Sequence, residues 1–201
     1  MKRTIRLSPL GGARAVVLHR PHANLLALTR QLQVIGLVVE EAWPELTPRA
    51  RTADFVFFDA DMGYDAQFPW EPGSAPMPLI ALIGSEAPGR IEWTMTIGAD
   101  AQLLKPVSGA GVYSALLIAR ASFDRRRALA AEVAELHRRL EARPAVVRAM
   151  MILAAKGGTE EDCYDQLRRY AAEWKMSFED AALRFVARQS SGASLDLRFR
   201  R

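Results

Sequence analysis

Two sets of residues in this chain have the types and spacing to do chemistry. The first pairs Asp59, which ends the apolar and aromatic run Asp54-Phe-Val-Phe-Phe-Asp59, with Lys105 in Lys105-Pro106. A carboxylate and an ammonium carried to one end of a sheet form at least an ion pair that neutralises Lys105 near the sheet edge. The second set is Tyr164, Arg168, Arg169, Trp174 and Lys175. Aromatic rings stack on unpaired bases while Arg and Lys grip phosphates, the combination used by readers of RNA loops. Tyr164 and Arg168 are four apart, so on a helix they share a face and set a stacking group beside a phosphate or base contact. Tyr164 suits a small helical core as well as it suits a base, and Trp174, at a helix end, suits packing better. Arg168 and Arg169 are adjacent and cannot both point inward. Arg125-Arg-Arg127 reads as a solvated face.

Other chemistries lack their residues. Asp59, Asp61 and Asp65 are spaced like the start of a calcium loop, but no Gly stands at the sixth position and no Glu at the twelfth. The three His residues, at 19, 22 and 137, and the single Cys163 do not make a zinc site. Cys163 reads as a small buried thiol with no His partner placed beside it. There is no Gly-rich phosphate loop, nucleophile elbow or H-E-x-x-H. The expectation is a protein with no catalytic residues, no metal and no cofactor.

These residues need elements to position them. Short apolar runs at Ala15–Leu18, Leu37–Val39, Asp54–Asp59, Pro78–Ile83 and Gln102–Leu104 read as strands. Between them, Leu25, Leu28, Leu32 and Ile35 repeat at helical spacing, with Asn24 as a cap and Gly36 as the stop, and Ile91–Ile97 reads as a short helix. Residues 60–77, broken by Gly63, Pro69, Pro72, Gly73 and Pro76, read as a loop. Strands alternating with helices predict a parallel sheet covered on both faces. A long helix follows from about Ser108 to Glu141. On it Leu129, Val133, Leu136 and Leu140 step by four, three and four, a coiled-coil seam that predicts a homodimer. Pro144 reads as the first turn of a new helix, closed by Gly157-Gly158. Thr159-Glu-Glu-Asp162 and Ser177-Phe-Glu-Asp180 are capping boxes that open two more helices, the last through Phe185. From Gln189 onward there is no stable pattern.

The 201 residues carry 27 Lys+Arg against 23 Asp+Glu, and half of them are hydrophobic, which excludes a disordered tail. Residues 1–119 hold 10 basic and 11 acidic side chains, whereas residues 120–201 hold 17 and 12. The back of the chain is therefore the part suited to an anionic partner. One Cys, no signal-peptide pattern and no long apolar stretch predict a cytoplasmic protein without a membrane span.

With the elements placed, residues 13–120 resemble a response-regulator receiver domain, a flavodoxin-like α/β fold. Asp59 stands where receivers accept phosphate, and Gly98-Ala99-Asp100 through Lys105-Pro106 resembles their later motif, whose Lys contacts the phosphoryl group. Two elements depart. His19-Arg20 occupies the place of the acidic pair that holds Mg²⁺, and Ile83 that of the switching Ser or Thr. The resemblance is therefore to a pseudo-receiver, with a degenerate site at His19, Arg20, Asp59, Ile83 and Lys105.

Residues 121–142 are then a coiled-coil helix, and residues 143–189 resemble the ANTAR domain, the RNA-binding module of transcription antitermination regulators. The matching residues are Gly157-Gly-Thr159, Cys163-Tyr164-x-x-Leu167-Arg168, Ala171, Phe178 and Asp180-Ala181-Ala182. The order pseudo-receiver, coiled coil, ANTAR is similar to that of AmiR-type antiterminators of amidase operons. The resemblance implies binding to stem-loops in a nascent leader RNA, so that the terminator does not form. It also implies control by a negative regulator protein that senses a small ligand, rather than by phosphorylation. Two alternatives stay open: a protein-interaction adaptor, and a response regulator phosphorylated on Asp59.

Overall fold

A computed structural model of the chain describes residues 10–190, in two compact units that divide between Ala128 and Leu129. The first holds strands β1 (Arg14–Leu18), β2 (Val38–Ala42), β3 (Phe55–Asp59), β4 (Leu79–Ile83) and β5 (Ala101–Leu104). All pair in parallel, in the order β2-β1-β3-β4-β5. This is the flavodoxin-like doubly wound order, in which the carboxyl ends of the central strands form the functional edge. The sequence dictates which strands are central. Every residue of β3 (FVFFD) and β4 (LIALI) is buried, as unbroken apolar runs require, while β2 (VVEEA) carries its two Glu at the sheet edge.

Alternation along the strands divides the core into two layers. Val17, Phe55, Phe57, Ile80 and Leu82 pack against Leu25, Leu28 and Leu32 of α1 (Ala23–Ile35). The same layer takes Val112, Leu116 and Ala119 of α3 (Val112–Ala154). Val16, Leu18, Val56, Phe58 and Ile83 face the other way, toward α2 (Pro88–Ile97) and the loop after β3. That loop contains only a 3₁₀ turn at Asp65–Gln67, and aromatic rings cover the sheet in place of a helix. Phe68 and Trp93 each meet Phe58 edge-on, at 5.4 and 5.7 Å between centroids.

The cap of α1 differs from expectation. His22, in extended conformation, accepts the Asn24 N–H on Nδ1, so Asn24 lies inside the first turn. Its Oδ1 is free to accept the Val107 N–H instead, 3.2 Å away. Gly36 ends the helix at φ 100°, the left-handed position glycine adopts without cost.

The second unit comprises α3 from Leu129, α4 (Glu160–Glu173) and α5 (Phe178–Ser190), around Ala149, Leu153, Cys163, Leu167, Tyr170, Ala181, Ala182 and Phe185. Pro144 does not start a new helix: α3 runs through it to Ala154. Proline removes the bond to the Leu140 carbonyl, but Leu140 and Pro144 lie on an exposed face, where water can take that carbonyl. Both capping boxes are formed. Thr159 accepts the Asp162 N–H, and Ser177 Oγ accepts the Asp180 N–H at 3.0 Å. The last helix continues past Phe185 to Ser190, and most of the tail expected to lack a pattern lies outside the described residues. Arg138 ties α3 to α5 through Glu135 and Asp180. Arg138 and Arg139 together hold the Glu135 carboxyl down at about 2.

Candidate functional site

At the carboxyl ends of β1, β3 and β5, four side chains close on one another. Asp59 is 4% exposed; its Oδ1 accepts from Lys105 Nζ at 2.5 Å and from the Asp61 N–H at 3.0 Å. Lys105 Nζ also reaches Asp61 Oδ2 at 2.8 Å, so one ammonium bridges two carboxylates. Asp61 in turn accepts the N–H groups of Gly84 and Ser85 at 2.9–3.1 Å. Burial pushes its carboxyl up. The hydrogen bond from Lys105 and those backbone donors outweigh burial, and the group sits below the usual carboxylate range. Gly84 is required by this approach, since a Cβ there would lie 2.5 Å from the Asp61 carboxylate.

His19 is buried beside them, with Nδ1 2.6 Å from the Arg20 carbonyl and Nε2 3.3 Å from Asp59 Oδ2 but outside hydrogen-bond geometry. Arg20 is exposed, Ile83 is fully packed in the core, and a cleft of about 240 Å³ bordered by His19, Arg20, His22 and Met62 opens above. The 105–106 peptide bond is cis. Among the described residues no three His, Cys, Asp or Glu side chains gather as a metal site. An aspartate that accepts phosphate must present a free carboxylate oxygen next to a divalent cation. Here Oδ1 is held by Lys105, Oδ2 faces an imidazole, and the local cations are built in.

Asp100 of the Gly-Ala-Asp motif is a brace rather than a reactive group. Its Oδ2 accepts the Leu79 N–H at 3.2 Å and Arg126 Nη2 at 3.1 Å. Burial raises its carboxyl, against the pull of those two donors. Arg126 is therefore not part of a purely solvated face, as the Arg125–Arg127 run suggests.

In the second unit Tyr164, Arg168, Arg169 and Lys175 are exposed, while Trp174 is half-buried. Tyr164 is a surface residue, and its ring lies 4.9 Å from that of Phe178. Trp174 caps α4 and stacks on Tyr170 at 5.0 Å and 7°. The guanidinium groups of Arg184 and Arg188 lie over its ring at 4.8 and 5.3 Å, so it is no bare platform for a base. Burial pushes the Cys163 thiol up, leaving it protonated and inert. Leu129, Val133, Leu136 and Leu140 are all exposed along α3, between 43% and 61%. Among the described residues no helix is long and apolar enough to cross a membrane.

Residues 13–120 match the family described as AmiR, N-terminal, which is more than half of the chain. The chain belongs to that family. The ANTAR domain matches residues 134–186 of this AmiR-family protein, and both are families of regulatory rather than catalytic proteins. The transcriptional regulatory protein PdtaR of Mycobacterium tuberculosis is 33% identical over 106 residues, 52% of each chain. The match thus spans about half the length of that curated relative. Among solved structures, Vibrio cholerae chemotaxis protein CheY4 is 18% identical over 54% of this chain and 99% of its own, with a TM-score of 0.44. A response regulator from Thermotoga maritima is 20% identical over 51% and 92%, with a TM-score of 0.42.

Two features of the AmiR-family unit and the ANTAR unit escape a reading of the sequence. Asp61 joins the Asp59–Lys105 pair because the chain turns back after β3, and its only linear signal is its place two residues beyond Asp59. Arg184 and Arg188 join Trp174 because α5 folds onto the end of α4. Their spacing of four was visible, but not the aromatic ring beneath them.

Proposed function

We propose that this protein is an RNA-binding transcription antiterminator that holds stem-loops of a nascent leader transcript and prevents the terminator from forming. The carrying observation is the exposed set Tyr164, Arg168 and Arg169 on α4 of a unit that the ANTAR domain matches. Lys175, just past that helix, adds a fourth exposed contact, and Trp174 supports the surface from beneath. The protein acts in the cytoplasm as a homodimer through Leu129, Val133, Leu136 and Leu140, and it performs no catalysis. The units are those proposed above: receiver-like 13–120, coiled coil 121–142 and RNA-binding helices 143–189.

Control comes from a partner protein that senses a small ligand, rather than from phosphate. The bridged and buried Asp59 supports this, because phosphorylation would have to break the Lys105 contact before a donor could approach. Incubation with acetyl phosphate and Mg²⁺ should leave Asp59 unmodified; a stoichiometric, acid-labile gain in mass would establish the response-regulator reading instead.

The direct test is a gel-shift titration of the full chain against the leader transcript of its own operon, with a scrambled-loop control. Tight, loop-dependent binding that weakens steeply with salt is the expected result. Absence of binding by the full chain and by residues 121–201 alike would favour an adaptor that binds protein through the exposed face of α3.

A further inference from the structure

The arginines that hold the second unit together have carboxylate partners: Arg138 meets Glu135 and Asp180, and Arg139 meets Glu135. Arg184 and Arg188 are different. They stand one turn apart on α5, and among the described residues neither forms an ion pair with a carboxylate. Both instead lay their guanidinium groups over one indole, that of Trp174. Trp174 is the outer rung of an aromatic ladder, stacked on Tyr170, which stacks on the buried Phe185 at 5.7 Å and 20°. The ladder runs from the core to the surface and ends in two cations on one ring. Cation–π attraction holds each of them, but two like charges so placed repel, and an anion between them relieves that repulsion.

We propose that Arg184 and Arg188, oriented by Trp174, form a binding site for a phosphodiester group of RNA. This rests on the RNA reading above and assigns the backbone grip to α5, while Tyr164 and Arg168 on α4 remain the candidates for loop contacts. The chemistry is specific to Arg. A planar guanidinium offers two parallel N–H donors to two phosphate oxygens, which a Lys ammonium cannot do. Stacking fixes the plane before the anion arrives, so less side-chain freedom is lost on binding.

The next residue after Trp174 supports the assignment. Lys175 is the one non-glycine residue with positive φ among those described, at 52°. A left-handed L-residue costs about 1–2 kcal/mol, and this position after a helix is normally glycine. An exposed lysine kept there at that cost sets a third cation next to the Arg184–Arg188 pair along the chain, the kind of strain retained for function.

The experiment uses the full chain and two labelled probes, the leader transcript of its own operon and the same transcript with scrambled loops. R184A/R188A should weaken binding of both by a similar factor, at least about tenfold at physiological salt, because phosphate contacts carry no sequence information. The slope of log affinity against log salt should become shallower by about 1–2, at about 0.7–0.9 per phosphate lost. R184K/R188K should keep the salt slope yet recover only part of the affinity, a split that a packing role does not produce. If the alanine variant loses helical circular dichroism, the lysine variant alone decides, and wild-type affinity in it overturns the guanidinium assignment. Unchanged affinity and slope in a folded R184A/R188A overturn the site while leaving the RNA reading intact. Failure of the wild-type chain to bind either transcript overturns the RNA reading and this site with it; binding to polyglutamate in that case would assign the pair to an acidic protein segment.

Discussion

Lys105 is the residue on which the receiver-like site depends. Its ammonium satisfies two carboxylates at once, one of them buried. Removing one partner of a buried ion pair strands the other, at a cost of about 3–5 kcal/mol. Lys105→Ala should therefore lower the stability of the first unit by about 3 kcal/mol, read as a shift in urea midpoint; a shift worth under about 1 kcal/mol would mean that water already screens the cluster. Asp59→Asn, by contrast, should leave RNA affinity at the wild-type level.

The two perturbed carboxyls of this unit carry opposite signs with pH. Asp61 is lowered in the fold, so its stabilisation is complete above the unfolded value near 3.8 and is lost as pH falls through the lower folded value. Asp100 is raised, so it opposes folding when ionised above that range and ceases to do so as acid protonates it. Between pH 5 and 2, Asp61→Asn should flatten the loss of stability and Asp100→Asn should steepen it. The same slope in both variants would contradict these environments.

At the scale of elements, α3 and the end of α4 each break a local rule. Pro144 sits inside α3 on the exposed side, and proline in a helix interior costs about 3 kcal/mol relative to alanine. Pro144→Ala should raise the melting temperature of the second unit, by less than that full cost because the Leu140 carbonyl is open to solvent. Lys175→Gly should also stabilise, by about 1 kcal/mol. If Lys175 contacts RNA, affinity falls in the same variant, and opposite signs for stability and binding would separate backbone strain from side-chain function. The apolar stripe on α3 makes its own prediction. Val133→Glu with Leu136→Glu should give monomers by light scattering with helix content unchanged, and dimers that persist would place the interface elsewhere.

For the whole chain, the distribution of charge gives the measurable consequence. Net positive charge lies in residues 120–201, and RNA binding through several Arg should lose affinity steeply between low and physiological salt. The first unit, with near-balanced charge, should contribute little to that slope. A slope that disappears with residues 13–120 would move the anionic contact into the receiver-like unit.

The sequence by itself determined the strand order's raw material, the capping boxes and the seam, because each rests on local rules. Unbroken apolar runs must be buried on both faces, a Thr or Ser three residues before an acid caps a helix, and a four-three-four repeat makes a stripe. His19-Arg20 in place of an acidic pair was equally legible, since it is a matter of residue type. Three things waited on tertiary structure. Asn24 yielded the cap to His22 because Val107, 83 residues on, claims its side-chain oxygen. Pro144 was absorbed because packing through Ala142 and Ala149 on the buried side holds the helix across one missing bond. Asp61 entered the Lys105 cluster, and Arg184 and Arg188 came to rest on Trp174, because folding brings distant segments together, and such contacts leave no period in the chain to read.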